Sequence, residues 1–120
     1  MPHHKICVIH HIQQAVRTYE EKLKEHIGIS LNECLCLCAI QEGFCEPAAI
    51  ARQLNLSPSR LSRILDNMEC KELITRAINK SNRRNITVTS TKKGRELLAM
   101  LDTSDISFSL PDEAKGGLYE

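Results

Sequence analysis

Residues 47–94 read PAAIARQLNLSPSRLSRILDNMECKELITRAINKSNRRNITVTSTKKG. Two periodicities meet in this stretch. Pro47 suits the first position of a helix, where its missing N–H costs nothing, and Ala48, Ala49, Ile50, Ala51 and Leu54 supply apolar positions. Asn55 tolerates the left-handed conformation of a tight turn. Ser57 then caps a second helix that opens at Pro58 and turns Leu61, Ile64, Leu65 and Met68 inward. After Leu73 the period drops to two. Ile74, Arg76 and Ile78 alternate with Thr75 and Ala77, and Ile86 and Val88 with Thr87 and Thr89. The polar, basic residues 79–85 between them make the tip of a β-hairpin.

The flanks extend this pattern. Ile9, Ile12, Val16, Tyr19, Leu23 and Ile27 recur at steps of three and four, which predicts a long helix ended by Gly28. Its other side is charged, with Arg17, Glu20, Glu21, Lys24 and Glu25. Ser30 and Glu33 have capping-box spacing before CLCLCAI (34–40), a run apolar all round and so expected to be buried on most sides, ending at Gly43. Thr91 caps a last helix from about Lys92 to Leu101. The remainder, from Asp102, reads as a loosely held tail with Ile106, Phe108 and Leu110 as apolar anchors. The expected fold is mainly α with a small β-hairpin: a helix-turn-helix followed by a wing, behind a long N-terminal helix.

Composition narrows the function. A chain of 120 residues with 42% hydrophobic residues supports one domain with a modest core. No apolar run is long enough to span a bilayer, and the N-terminus lacks the order of a secretory signal. A cytoplasmic protein is expected. The chain has 2 Tyr, 2 Phe and no Trp, too few for the stacking platforms of a single-strand binder. Without an export signal, its 6 cysteines read as reduced thiols rather than a disulfide framework.

Net charge is +1, but it is unevenly placed. Residues 47–95 hold eleven Lys or Arg against three acids, and the rest five against twelve. A basic segment on an acidic chain is the footprint of a phosphate-backbone binder. The second helix of the turn unit carries Ser57, Ser59, Arg60, Ser62 and Arg63 near its N-terminus. A recognition helix turns such residues to the bases: Arg bonds two guanine acceptors, and Ser reaches bases or phosphates. Lys80, Arg83 and Arg84 at the hairpin tip suit a narrow minor groove, whose negative potential is enhanced.

These motifs in this order resemble the multiple-antibiotic-resistance regulator (MarR) family of winged-helix transcription factors. The resemblance spans about Ile29 to Leu98 and rests on ISLNECLCLCAI, AAIARQLNLSPSRLSRILDNMECKELITR and SNRRNITVTSTKKGRELL. Ser57–Arg63 matches the family's recognition-helix pattern, Asn82–Arg84 its wing signature, and Thr91–Gly94 the turn into the next helix. The resemblance implies a homodimer on pseudo-palindromic duplex DNA. Recognition helices would enter major grooves, and Arg83 or Arg84 the flanking minor grooves. It also implies residues 1–28 as a dimerisation helix, 29–101 as the DNA-binding domain and 102–120 as a short tail contributing to dimer contacts. Two features depart from the family pattern. Asn82 stands where an acid is usual, which removes an ion pair from the wing. The region after Gly94 is short, which weakens the case for the family's small-molecule effector cleft.

Other constellations carry less. On a helix Cys34 and Cys38 share a face and Cys36 does not, so the three cannot converge on one metal ion. They read as packed, inert thiols. Because some relatives sense oxidants through a cysteine, the candidates for a redox response are Cys7, Cys45 and Cys70, outside the buried run. His3, His4, His10 and His11 lie on one side of the first helix and read as solvated or interface residues rather than a metal site. No nucleophile elbow or Gly-rich phosphate loop appears, so no enzyme and no cofactor is expected. The alternatives to a DNA-binding regulator are a winged-helix protein-interaction module and a cysteine-based redox-sensing regulator.

Overall fold

A computed structural model describes residues 4–78 and 85–103. The element order is α1 (Lys5–His26), α2 (Leu31–Gln41), α3 (Pro47–Leu54), α4 (Pro58–Cys70), β1 (Ile74–Ile78), β2 (Ile86–Ser90) and α5 (Lys92–Thr103). The expected class holds: a mainly helical chain with one two-stranded antiparallel hairpin and a long N-terminal helix. The wing-tip residues Asn82, Lys80, Arg83 and Arg84, the tail anchors Ile106, Phe108 and Leu110, and His3 lie outside the described residues.

The helix α1 belongs to one compact unit, and Ile29–Thr103 forms another. In α1, Leu23 is fully buried, whereas Ile6 and Ile9 are exposed. Gly28 closes the helix as expected: it takes φ +80°, and its N–H donates to the Leu23 carbonyl at 3.0 Å.

Within Ile29–Thr103, α2 is the hub and packs against α3, α4, α5 and β2. Its capping box forms in both directions. The Glu33 N–H donates to Ser30 Oγ at 3.2 Å, and the Ser30 N–H donates to Glu33 Oε1 at 2.8 Å. Cys34, Cys36, Leu37 and Ala39 are buried, and Leu35 is exposed.

The turn between α3 and α4 follows from Asn55, which adopts φ 56°, ψ 45°. One left-handed residue reverses the chain, and the Leu56 N–H returns to the Ala51 carbonyl at 2.9 Å. Ser57 Oγ accepts from the Arg60 N–H at 3.2 Å, so α4 begins one residue later. Leu61, Leu65 and Met68 bury one face of α4 alongside Ile50, Leu73, Ile74 and Val88.

The hairpin pairs Ile74 with Ser90, Arg76 with Val88 and Ile78 with Ile86. The apolar alternation buries Ile74 and Val88, but Ile78 and Ile86 are exposed. The hairpin leaves the core as it proceeds, so period two describes both halves while burial covers one. On its other edge β2 is tied down by the Val88 N–H, which donates to the Cys45 carbonyl at 2.7 Å.

Thr91 Oγ1 accepts from the Gly94 N–H at 3.1 Å and caps α5, which runs two residues past the expected Leu101. Gly94 has a tertiary reason to be glycine. A Cβ there would overlap the Leu73 carbonyl and crowd Leu37 Cδ2 at 3.1 Å.

Candidate nucleic-acid interface

The inner face of α4 is apolar and buried, and the first turns of its outer face are small, polar and basic. Ser57, Ser59, Arg60, Ser62 and Arg63 are all exposed. The turn at Asn55 and the cap at Ser57 fix where this surface starts. Ser57 is tied to its own helix through the cap and lies 3.5 Å from Ser59 Oγ. Ser59 shares that contact, while Arg60, Ser62 and Arg63 leave the protein as donors that no packing demands.

A second set of charges lies further along α4. Arg76 on β1 reaches across to α4. Its Nη2 donates to Asp66 Oδ1 at 2.7 Å and to Glu69 Oε1 at 2.8 Å, and its Nε to Glu69 Oε2 at 3.4 Å. The hydrogen bond from Arg76 holds the Glu69 carboxyl below its ordinary pKa. The same bonds, first to Glu69 and then to Asp66, raise the pKa of Arg76 above its ordinary value. In the sequence Arg76 is one of the eleven basic residues of 47–95, and Asn82 removes the family's usual wing ion pair; the pairing of Arg76 with α4 is written in neither. Its partners Glu69 and Asp66 lie seven and ten residues away across a turn, beyond any local spacing.

The base of the wing is pinned by a buried acid. Glu33 Oε1 also accepts from Lys71 Nζ at 2.8 Å, linking the start of α2 to the residue after α4. Lys93 Nζ donates to the Lys71 carbonyl at 3.0 Å, and Arg95 Nη1 to the Ser90 carbonyl at 2.7 Å. Exposed Arg52, Lys92, Lys93 and Arg95 extend the basic character of the unit.

Among the described residues no group of three or more His, Cys, Asp or Glu is placed to hold a metal ion. The His10 and His11 rings meet edge to face, with centroids 6.1 Å apart. Burial, ahead of neighbouring Cys38 and Glu33, pushes the Cys34 thiol up to about 11. Burial, then Glu33, pushes the Cys36 thiol up to about 12. Cys7, Cys45 and Cys70 are exposed. A cavity of about 290 Å³ opens among α2, β2 and α5, lined by Leu37, Gln41, Ser90, Arg95 and Leu98. No helix among the described residues is long and apolar enough to cross a membrane.

The profile of the MarR family matches residues 29–86. No curated protein sequence matches the chain. The chain is similar to the apo form of wild-type MarR from E. coli, with 22% identity and a TM-score of 0.72 over 98% of this chain and 84% of that one. It is also similar to a cysteine-to-serine mutant of that protein complexed with operator DNA, with 22% identity and a TM-score of 0.71 over 92% and 85%. FabT from Streptococcus pneumoniae in complex with DNA gives 22% identity and a TM-score of 0.68 over 77% and 66%. At such identities the structures speak for the fold, and the family profile for the lineage. The profile covers the capped α2, the α3–α4 unit and the strand that leads into the wing. The winged-helix part of the chain, residues 29–86, belongs to the MarR family of winged helix-turn-helix, DNA-binding transcriptional regulators.

Proposed function

We propose that the protein is a cytoplasmic homodimer that binds a pseudo-palindromic duplex operator, with α4 in the major groove and the wing in the minor groove. The observation that carries this reading is the two-sided α4. Leu61, Leu65 and Met68 fix the helix to the core, while Ser59, Arg60, Ser62 and Arg63 stand exposed. The residues proposed to contact DNA are Ser57, Ser59, Arg60, Ser62 and Arg63 on the helix, with Lys80, Arg83 and Arg84 at the wing tip. The E. coli mutant crystallised with operator DNA supports the same class of partner here. Exposed Ile6 and Ile9 on α1 support that helix, with the tail, as the dimerisation element. Cys7, Cys45 and Cys70 are the thiols proposed for an oxidant response, because they are exposed. The α2–β2–α5 cavity is the space proposed for a small-molecule effector.

Titration of labelled duplexes against wild-type and substituted protein tests the reading. Arg63→Ala or Ser59→Ala should change the preferred sequence, since base contacts specify. Arg83→Ala with Arg84→Ala should weaken binding to all duplexes alike. Wild-type affinity in that double variant removes the wing from the mechanism.

A further inference from the structure

The outer face of α4 carries acids as well as donors. Ser59, Ser62, Asp66 and Glu69 follow one another at three, four and three residues, so they share one helical face. At about 1.5 Å per residue, Asp66 lies about 6 Å along the axis from Ser62, and Glu69 about one turn further. Duplex DNA carries one negative charge per roughly 1.7 Å of its axis. A bare carboxylate closer to it than the Debye length of about 8 Å opposes binding. A helix that docks on DNA through Ser59 and Ser62 carries Asp66 within that length of its contact, and Glu69 about 10 Å from Ser62 along the axis.

Neither acid is bare. The Arg76 guanidinium holds Asp66 at 2.7 Å and Glu69 at 2.8 Å, and it does so from β1, on the strand face that also buries Ile74. The Arg76 side chain is 25% exposed, against 59% for Asp66 and 44% for Glu69. The cation is therefore the fixed member, and the acids are drawn to it.

We propose that Arg76 is a positioning residue for DNA binding: it draws the Asp66 and Glu69 carboxylates toward β1 and masks the negative charge that the outer face of α4 would otherwise turn to the duplex. The inference rests on the reading of α4 as the recognition helix. It assigns Arg76 no contact with DNA. Its effect passes through the two acids, which separates it from Arg60 and Arg63.

The test uses the full chain and end-labelled, sheared genomic duplex DNA at low salt. Arg76→Met should lower affinity about tenfold, and the deficit should shrink as salt rises. The triple variant Arg76→Met, Asp66→Asn, Glu69→Gln should recover to within about twofold of wild type. In the wild-type background, Asp66→Asn with Glu69→Gln should bind at least as tightly as wild type. Three results overturn the proposal: an Arg76→Met variant that binds like wild type, a triple variant as weak as Arg76→Met, or an acid-to-amide pair that binds more weakly than wild type. The second would make Arg76 a plain anchor of the hairpin, and the third would make the acids base readers. Circular dichroism checks that Arg76→Met folds; if it does not, the acid-to-amide pair decides alone. A wild-type protein that ignores duplex DNA would remove the reading beneath the proposal, and the proposal with it.

Discussion

At Glu33 one oxygen serves two partners. Its Oε1 accepts from the Ser30 N–H and from Lys71 Nζ, each at 2.8 Å, while the residue is 4% exposed. The first contact was legible because a capping box is written in four consecutive residues. The second was not, because no local spacing connects Glu33 with Lys71, 38 residues on. The neighbouring thiols give a prediction at the same scale. An unfolded chain ionises its cysteines near pH 8.5, whereas Cys34 and Cys36 hold their protons up to about 11 and about 12. Between those limits the unfolded state releases protons that the folded state keeps. Stability is therefore full below about pH 8.5 and falls as pH rises through the folded values. Urea midpoints should drop between about pH 8 and about pH 10, and a Cys34→Ala, Cys36→Ala variant should show a flatter dependence. In the native state a thiol reagent should label Cys7, Cys45 and Cys70 first, and Cys34 and Cys36 only on unfolding.

Where the hairpin meets α5, two residues converge on the Leu73 carbonyl. It accepts from the Thr91 N–H at 2.9 Å, and Gly94 passes close above it. Alanine in place of glycine ordinarily steadies a helix by about 1 kcal/mol. At Gly94 the sign should reverse, because the added methyl meets backbone that cannot yield. Gly94→Ala should destabilise the fold by about 1–3 kcal/mol in urea unfolding. A neutral or stabilised variant would show that α5 shifts freely. The Thr-x-x-Gly pattern was readable as the opening of a helix, since Thr91 caps Gly94 locally. The packing reason for the glycine was not, because Leu73 and Leu37 arrive from elsewhere in the chain. The same limit explains the wing: alternation located both strands, yet burial stops between Arg76 and Ile78.

Across the molecule, the +1 net charge conceals a basic segment at 47–95, and the structure divides that segment further. Arg76 and Lys71 are engaged with Asp66, Glu69 and Glu33, so the exposed Arg60 and Arg63 carry the positive charge of the α4 surface. Counterion release then makes a graded prediction. Replacing Arg60 by Ala should reduce the slope of log affinity against log salt by about 1, as the loss of one phosphate contact does. An unchanged slope in that variant would place the phosphate contacts elsewhere. The inner and outer faces of α4 have one more consequence, which concerns descent rather than chemistry. Ser59, Ser62 and Arg63 stand on a surface whose replacement disturbs no buried contact, and such changes usually cost less than about 0.5 kcal/mol. After gene duplication, two copies can diverge in what they bind through intermediates that all remain folded. Stability sets no toll on that route, and selection on the DNA target alone decides where each copy settles.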